Sequence, residues 1–86
     1  MQNPLEELRK KYGLTRAQMA AVMDTTPATY GMYARGEAFP SKKKVKLIAE
    51  FLGEPYEELL AKVSEYRDFL KMKLREEALK KIKAGR

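Results

Sequence analysis

The sequence predicts an all-α fold: four short helices followed by a longer fifth. Three observations carry that expectation. Apolar residues recur at intervals of three and four. Helix breakers fall only at boundaries, with Pro4, Pro27, Pro40 and Pro55 at or just before the starts of runs and Gly13, Gly36 and Gly53 after their ends. Strict alternation never persists and β-branched residues are sparse, so no strand competes.

The first run is PLEELRKKY. Asn3 caps it, Pro4 suits its first position and Glu6 stands three residues after the cap. Leu5, Leu8 and Tyr12 form its apolar stripe, and Gly13 ends it. The second run, TRAQMAAVM, opens on the capping-box pair Thr15 and Gln18. Met19, Val22 and Met23 make its apolar face, while Ala20 and Ala21 let another helix approach closely. The third lies within DTTPATYGMYARG, with Thr26 as cap, Pro27 in the first turn and Gly36 as terminator. At roughly nine residues it is too short to stand alone and must pack on its neighbours. The fourth, SKKKVKLIAEFL, is capped by Ser41 and ended by Gly53; Val45, Ile48 and Leu52 form its face, flanked by Leu47 and Phe51.

The fifth run begins at Pro55, with Glu57 and Glu58 suiting its N-terminus, and meets no Gly or Pro before Gly85. Leu59, Val63, Tyr66, Leu70, Leu74, Ala78 and Ile82 follow one another at spacings of three or four. The first few complete a core. The later ones belong either to a solvated basic tail or to a helix paired with a second subunit. Burying a large apolar side chain is worth about 1.5–3 kcal/mol, which favours the pairing. Leu70, Leu74, Ala78 and Ile82 are the candidate dimerisation residues. The expected organisation is a helical domain over residues 1–60 and a basic amphipathic extension over residues 61–86 that is a possible dimerisation element.

Composition narrows the chemistry. The 86 residues include no cysteine and no histidine, which removes disulfides, thiol chemistry, ordinary zinc sites and imidazole acid–base catalysis. Adjacent Glu57/Glu58 and Glu76/Glu77 are not opposed carboxylates, and no nucleophile has a base beside it, so an enzyme is not expected. No cofactor is expected. No apolar run approaches the roughly 20 residues of a membrane span and no signal peptide is visible; a cytoplasmic protein is expected. The formal charge of +6 favours an anionic partner. Residues 1–60 carry nine basic and eight acidic side chains, whereas residues 61–86 carry nine and four.

The second and third runs are separated by Asp24 and Thr25 alone, the spacing of a helix-turn-helix, whose second helix can enter a major groove while the first crosses the backbone. LRKKYGLTRAQMAAVM, TPATYGMYARGEAFPS and LIAEFLGEPYEELL stand in the order and with the gaps of the Cro/C1-type (lambda-repressor-like) domain, and Leu5 to Leu60 resembles that family. The resemblance implies a lambda-repressor-like bundle with Leu14, Ala20, Tyr30 and Tyr33 in its core. It also implies operator DNA bound by a dimer, often to repress transcription. Asp24 stands where the family usually has glycine.

Carried onto this chain, the family's base-facing positions are Thr26, Pro27, Ala28, Thr29, Gly31 and Met32. None is the Arg, Lys, Asn or Gln that reads guanine or adenine best; threonine hydroxyls and contacts to thymine methyls remain. Arg16, Arg35, Ser41, Lys42, Lys43 and Lys44 are the expected phosphate contacts. Lysines at a helix N-terminus oppose the helix dipole, which hints at a nearby anion, although a solvated face also accommodates them. Tyr30 and Tyr33 are expected to fill the core with their hydroxyls reaching outward, Phe39 to pack under the loop, and Tyr56 and Tyr66 to seal the junction with the fifth helix. The leading expectation is a dimeric regulator binding double-stranded DNA with full or weak sequence specificity. The alternative is a protein-interaction module on the same scaffold, its small and apolar third helix fitting a protein groove.

Overall fold

Five helices follow one another, with no strand among the described residues: α1 (Pro4–Lys11), α2 (Arg16–Val22), α3 (Pro27–Ala34), α4 (Lys42–Leu52) and α5 (Tyr56–Ala84). The computed structural model describes residues 1–85. This is the predicted all-α, helix-turn-helix-like bundle with an extended last helix.

Local capping sets the boundaries. The side chains of Asn3, Thr15, Thr26 and Ser41 accept hydrogen bonds from the backbone N–H of Leu5, Gln18, Thr29 and Lys44. Gln18 returns the bond by accepting from the Thr15 backbone N–H at 2.9 Å, completing a capping box. Each such cap is worth about 1 kcal/mol, which matters for helices of seven or eight residues. Asn3 does more than cap. Its Nδ2 donates to the carbonyls of Tyr33 at 2.9 Å and Ala34 at 3.1 Å. One side chain thus starts α1 and ties it to two carbonyls at the end of α3.

The core joins every helix: Leu5 from α1, Met19 and Ala20 from α2 with its C-cap Met23, Tyr30 and Tyr33 from α3, Val45, Ile48 and Ala49 from α4, and Leu59 and Val63 from α5. Leu14, Val22, Leu52 and Tyr56 pack around it. The four positions that the resemblance placed inside are buried or packed there. Ala20 supplies the close approach of α2, whereas Ala21 is exposed. Phe51 is also exposed, on the outer side of α4.

Two expectations need correction. Tyr12 does not extend the apolar stripe of α1. It is exposed, and its hydroxyl donates to Glu54 Oε1 at 2.8 Å, beside a Lys11–Glu54 ion pair of 2.8 Å. Those hydrogen bonds hold the Glu54 carboxyl below its ordinary pKa and raise that of Tyr12. Tyr30 does not send its hydroxyl outward. The side chain is fully buried, its ring edge-on to Tyr33 with centroids 6.3 Å apart, and Oη has no hydrogen-bond partner.

The packed part of α5 continues beyond residue 60, through the first members of its apolar series. Val63 is buried and Leu70 half-buried, while every residue from Lys71 to Gly85 is exposed. At 1.5 Å per residue α5 is about 43 Å long, and the molecule measures 51 × 25 × 21 Å.

Two stability predictions follow from strained or unsatisfied groups. Asp24 holds φ at 54°, a left-handed conformation costly for residues with a Cβ. Asp24→Gly should gain about 0.5–1 kcal/mol in denaturant unfolding. Burial pushes the pKa of Tyr30 up to about 12, against about 10 in the unfolded chain. The neutral phenol's contribution is therefore complete below about pH 10 and is lost as pH rises toward 12. Tyr30→Phe should gain about 1 kcal/mol at neutral pH by removing the unpartnered hydroxyl. Its advantage should widen by a further 2–3 kcal/mol, roughly, in unfolding measured from pH 9 to pH 12.

Candidate nucleic-acid interface

The corner between α2 and α3 is held from three sides. Thr25 N donates to the Ala20 carbonyl at 2.9 Å, and Asp24 N to that of Ala21 at 3.1 Å. Lys44 Nζ donates to the Asp24 carbonyl, tying the start of α4 to the turn. Tyr30 and Tyr33 then fix which side of α3 faces inward.

The opposite side is open. Thr26, Pro27 and Ala28 are exposed, Met32 is 40% exposed and Thr29 is half-buried. Thr26 Oγ1 caps α3 and donates to Thr29 Oγ1 at 3.0 Å, so the Thr29 hydroxyl proton remains free for another acceptor. Gly31 does not belong to this open surface. It is buried, and the Arg35 side chain covers it, with Nη1 only 3.1 Å from where a Cβ on residue 31 would stand.

The expected phosphate contacts fall into two groups. Lys42 and Lys43 are exposed at the first positions of α4. Arg16, Arg35, Ser41 and Lys44 already have intramolecular partners. Ser41 caps α4 and Lys44 reaches the turn. Arg16 Nε donates to Glu6 Oε1 at 3.1 Å, while Arg9 Nε takes Oε2 of the same carboxylate at 2.6 Å. Arg35 meets Glu37 through two bonds, Nε to Oε1 and Nη2 to Oε2, both 3.1 Å. That pairing lowers the Glu37 pKa and raises that of Arg35.

A tight corner between two short helices, the second presenting an open face beside basic side chains, is the arrangement of a DNA-binding bihelical unit. The model of the helix-turn-helix family matches residues 5–59, which take in α1 from its second residue, all of α2 through α4 and the first turn of α5. The chain belongs to the helix-turn-helix family. Comparison with curated proteins and with solved structures finds no match.

In this helix-turn-helix chain the candidate dimerisation residues divide. Leu70 packs against the end of α3, its Cδ1 lying 2.6 Å from where a Cβ on Gly36 would stand, with Tyr66 Oη at 3.6 Å. Phe39 meets Tyr66 edge-on with centroids 6.3 Å apart, so the loop after α3 rests on α5. Leu74, Ala78 and Ile82 are exposed beyond this contact.

Sequence reasoning missed three residues that shape the site: Asn3, Glu6 and Glu37. Glu6 offered a signal, since it lies three residues before Arg9 on α1, where opposite charges meet. Glu37 lies two residues after Arg35 in a loop, where spacing predicts nothing. The second role of Asn3 depends on tertiary packing alone.

Gly36 tests how α5 fixes the end of α3. Its φ of 74° and its closeness to Leu70 leave no room for a methyl group. Gly36→Ala should lose about 2 kcal/mol or more in denaturant unfolding through left-handed strain and forced repacking. Leu70→Ala should recover part of that loss in the double variant.

Proposed function

We propose that this helix-turn-helix protein is a Cro/C1-type transcriptional regulator that binds double-stranded DNA as a dimer. The observation that carries this reading is the division of α3. Its inner side is locked into the core by Tyr30 and Tyr33, and its outer side offers Thr26, Pro27, Ala28 and Met32 to a ligand. Lys42 and Lys43 stand free beside the corner to take phosphates, with the backbone N–H groups at the start of α4 behind them. Arg16 reaches phosphate from the start of α2 while Glu6 holds its other side.

The second subunit is assigned to the projecting part of α5. Met72, Leu74, Leu79 and Ile82 are 49–66% exposed there, an unusual density of large apolar side chains for a solvated helix. A dimer places two copies of α3 on successive turns of one duplex face, so half-site spacing and DNA shape add to the modest readout of each helix.

Binding to a fluorescent duplex, followed from 50 to 300 mM salt, tests this function. The wild-type chain should lose affinity steeply. The Lys42→Gln/Lys43→Gln double variant should bind more weakly with a logarithmic salt slope reduced by about 1.8, the contribution of two phosphate contacts. A chain ending at residue 71 keeps the packed part of α5; in sedimentation it should run as a monomer and bind duplex more weakly. Wild-type chain that binds no duplex at 50 mM salt would move the assignment to a protein-interaction module.

A further inference from the structure

Ala28, Met32 and Arg35 follow at spacings of four and three, so all three project from the same outward face of α3 and its C-cap. Side chains on a helix lean toward its N-terminus. The Arg35 head accordingly lies back over Gly31, near the middle of the face, rather than beyond its end. Glycine at position 31 leaves that place vacant. Any longer side chain there would compete with the guanidinium for it.

We infer that Arg35, laid across Gly31 and aligned by Glu37, reads a guanine in the major groove. The inference rests on the DNA-binding reading and supplies the bidentate base reader that α3 otherwise lacks. The bonding pattern supports a base over a phosphate. A guanidinium has five N–H donors. Glu37 takes one from Nε and one from Nη2, leaving the second Nη2 proton and both Nη1 protons. Neighbouring protons on the two terminal nitrogens match the paired O6 and N7 acceptors of guanine. Glu37 also offsets the charge of Arg35, and its carboxylate would repel a phosphate drawn to the same place. What the pair retains is direction, which base reading needs more than net charge.

Selection of duplexes from a random pool tests this, followed by competition between the selected site and the same site with its guanine replaced. Wild-type protein should enrich a guanine at one position of each half-site, and replacing that guanine should cost roughly 5- to 150-fold in affinity. Arg35→Lys keeps a positive charge but loses the planar fork. It should bind arbitrary duplex about as well as wild type while showing a weakened preference at that position only. Gly31→Leu should do the same by displacing the guanidinium, and circular dichroism verifies that it folds. Glu37→Gln should bind arbitrary duplex at least as tightly yet show a reduced guanine preference. A guanine preference unchanged in Arg35→Ala, or an Arg35→Ala variant weakened evenly across all sequences with a shallower salt slope, would overturn the inference. Wild-type chain that binds duplex without selecting any guanine overturns it too, leaving the DNA-binding function intact. Absence of all duplex binding removes both.

Discussion

An eight-residue helix cannot hold itself together in water, and α3 has only eight. Its existence and its direction are therefore set by what it buries. Tyr30 and Tyr33 sink its inner side into the common core, where α3 packs chiefly on α2 and also on α1. The two ends are fastened separately. At the start, Lys44 binds the turn carbonyl of Asp24 and Thr26 caps the first turn. At the finish, Asn3 takes the carbonyls of Tyr33 and Ala34, and Leu70 closes over Gly36. These attachments come from α1, α4 and α5, so the whole bundle serves to aim one short helix.

Charge is distributed with similar economy. The net charge of +6 lies mostly beyond residue 60, and two of the arginines near α3 are paired with carboxylates. Glu6 is largely shielded and ties together α1 and the start of α2, so Arg16 is placed rather than free. The Arg35–Glu37 pair is exposed, and such pairs add little to stability. Its consequence is geometric: a flexible side chain is held in one direction over a glycine. The unpaired Lys42 and Lys43 supply untethered charge.

Much of the architecture was legible in the sequence because caps and breakers act locally. Asn3, Thr15, Thr26 and Ser41 cap where their spacing indicated, and Pro55 begins a helix that runs to Ala84. Errors arose where a side chain has both an apolar body and a polar tip. Periodicity placed Tyr12 on a buried stripe, but its hydroxyl found Glu54 at the surface. A polar tip suggested an outward Tyr30 hydroxyl, but the ring is enclosed on all sides. The candidate site was legible as a set of positions and not as a set of contacts. Spacing places Gly31 on the open face, but the Arg35 side chain covers it. Leu70 carried the same spacing signal as Leu74, yet only the fold shows that it packs on the end of α3. Pairings across tens of residues, such as Asn3 with Tyr33, leave no mark in spacing.

The central claim is that the outward side of α3, fixed by the bundle, is the surface that meets DNA. Titration of isotope-labelled protein with a short duplex, followed by amide and methyl NMR, tests it most directly. The largest shifts should fall at Thr26, Ala28, Thr29, Met32, Arg35, Lys42 and Lys43, with Tyr30 and Val45 keeping their core environment. Shifts concentrated on the exposed residues of α5, with α3 unperturbed by saturating duplex, would contradict it.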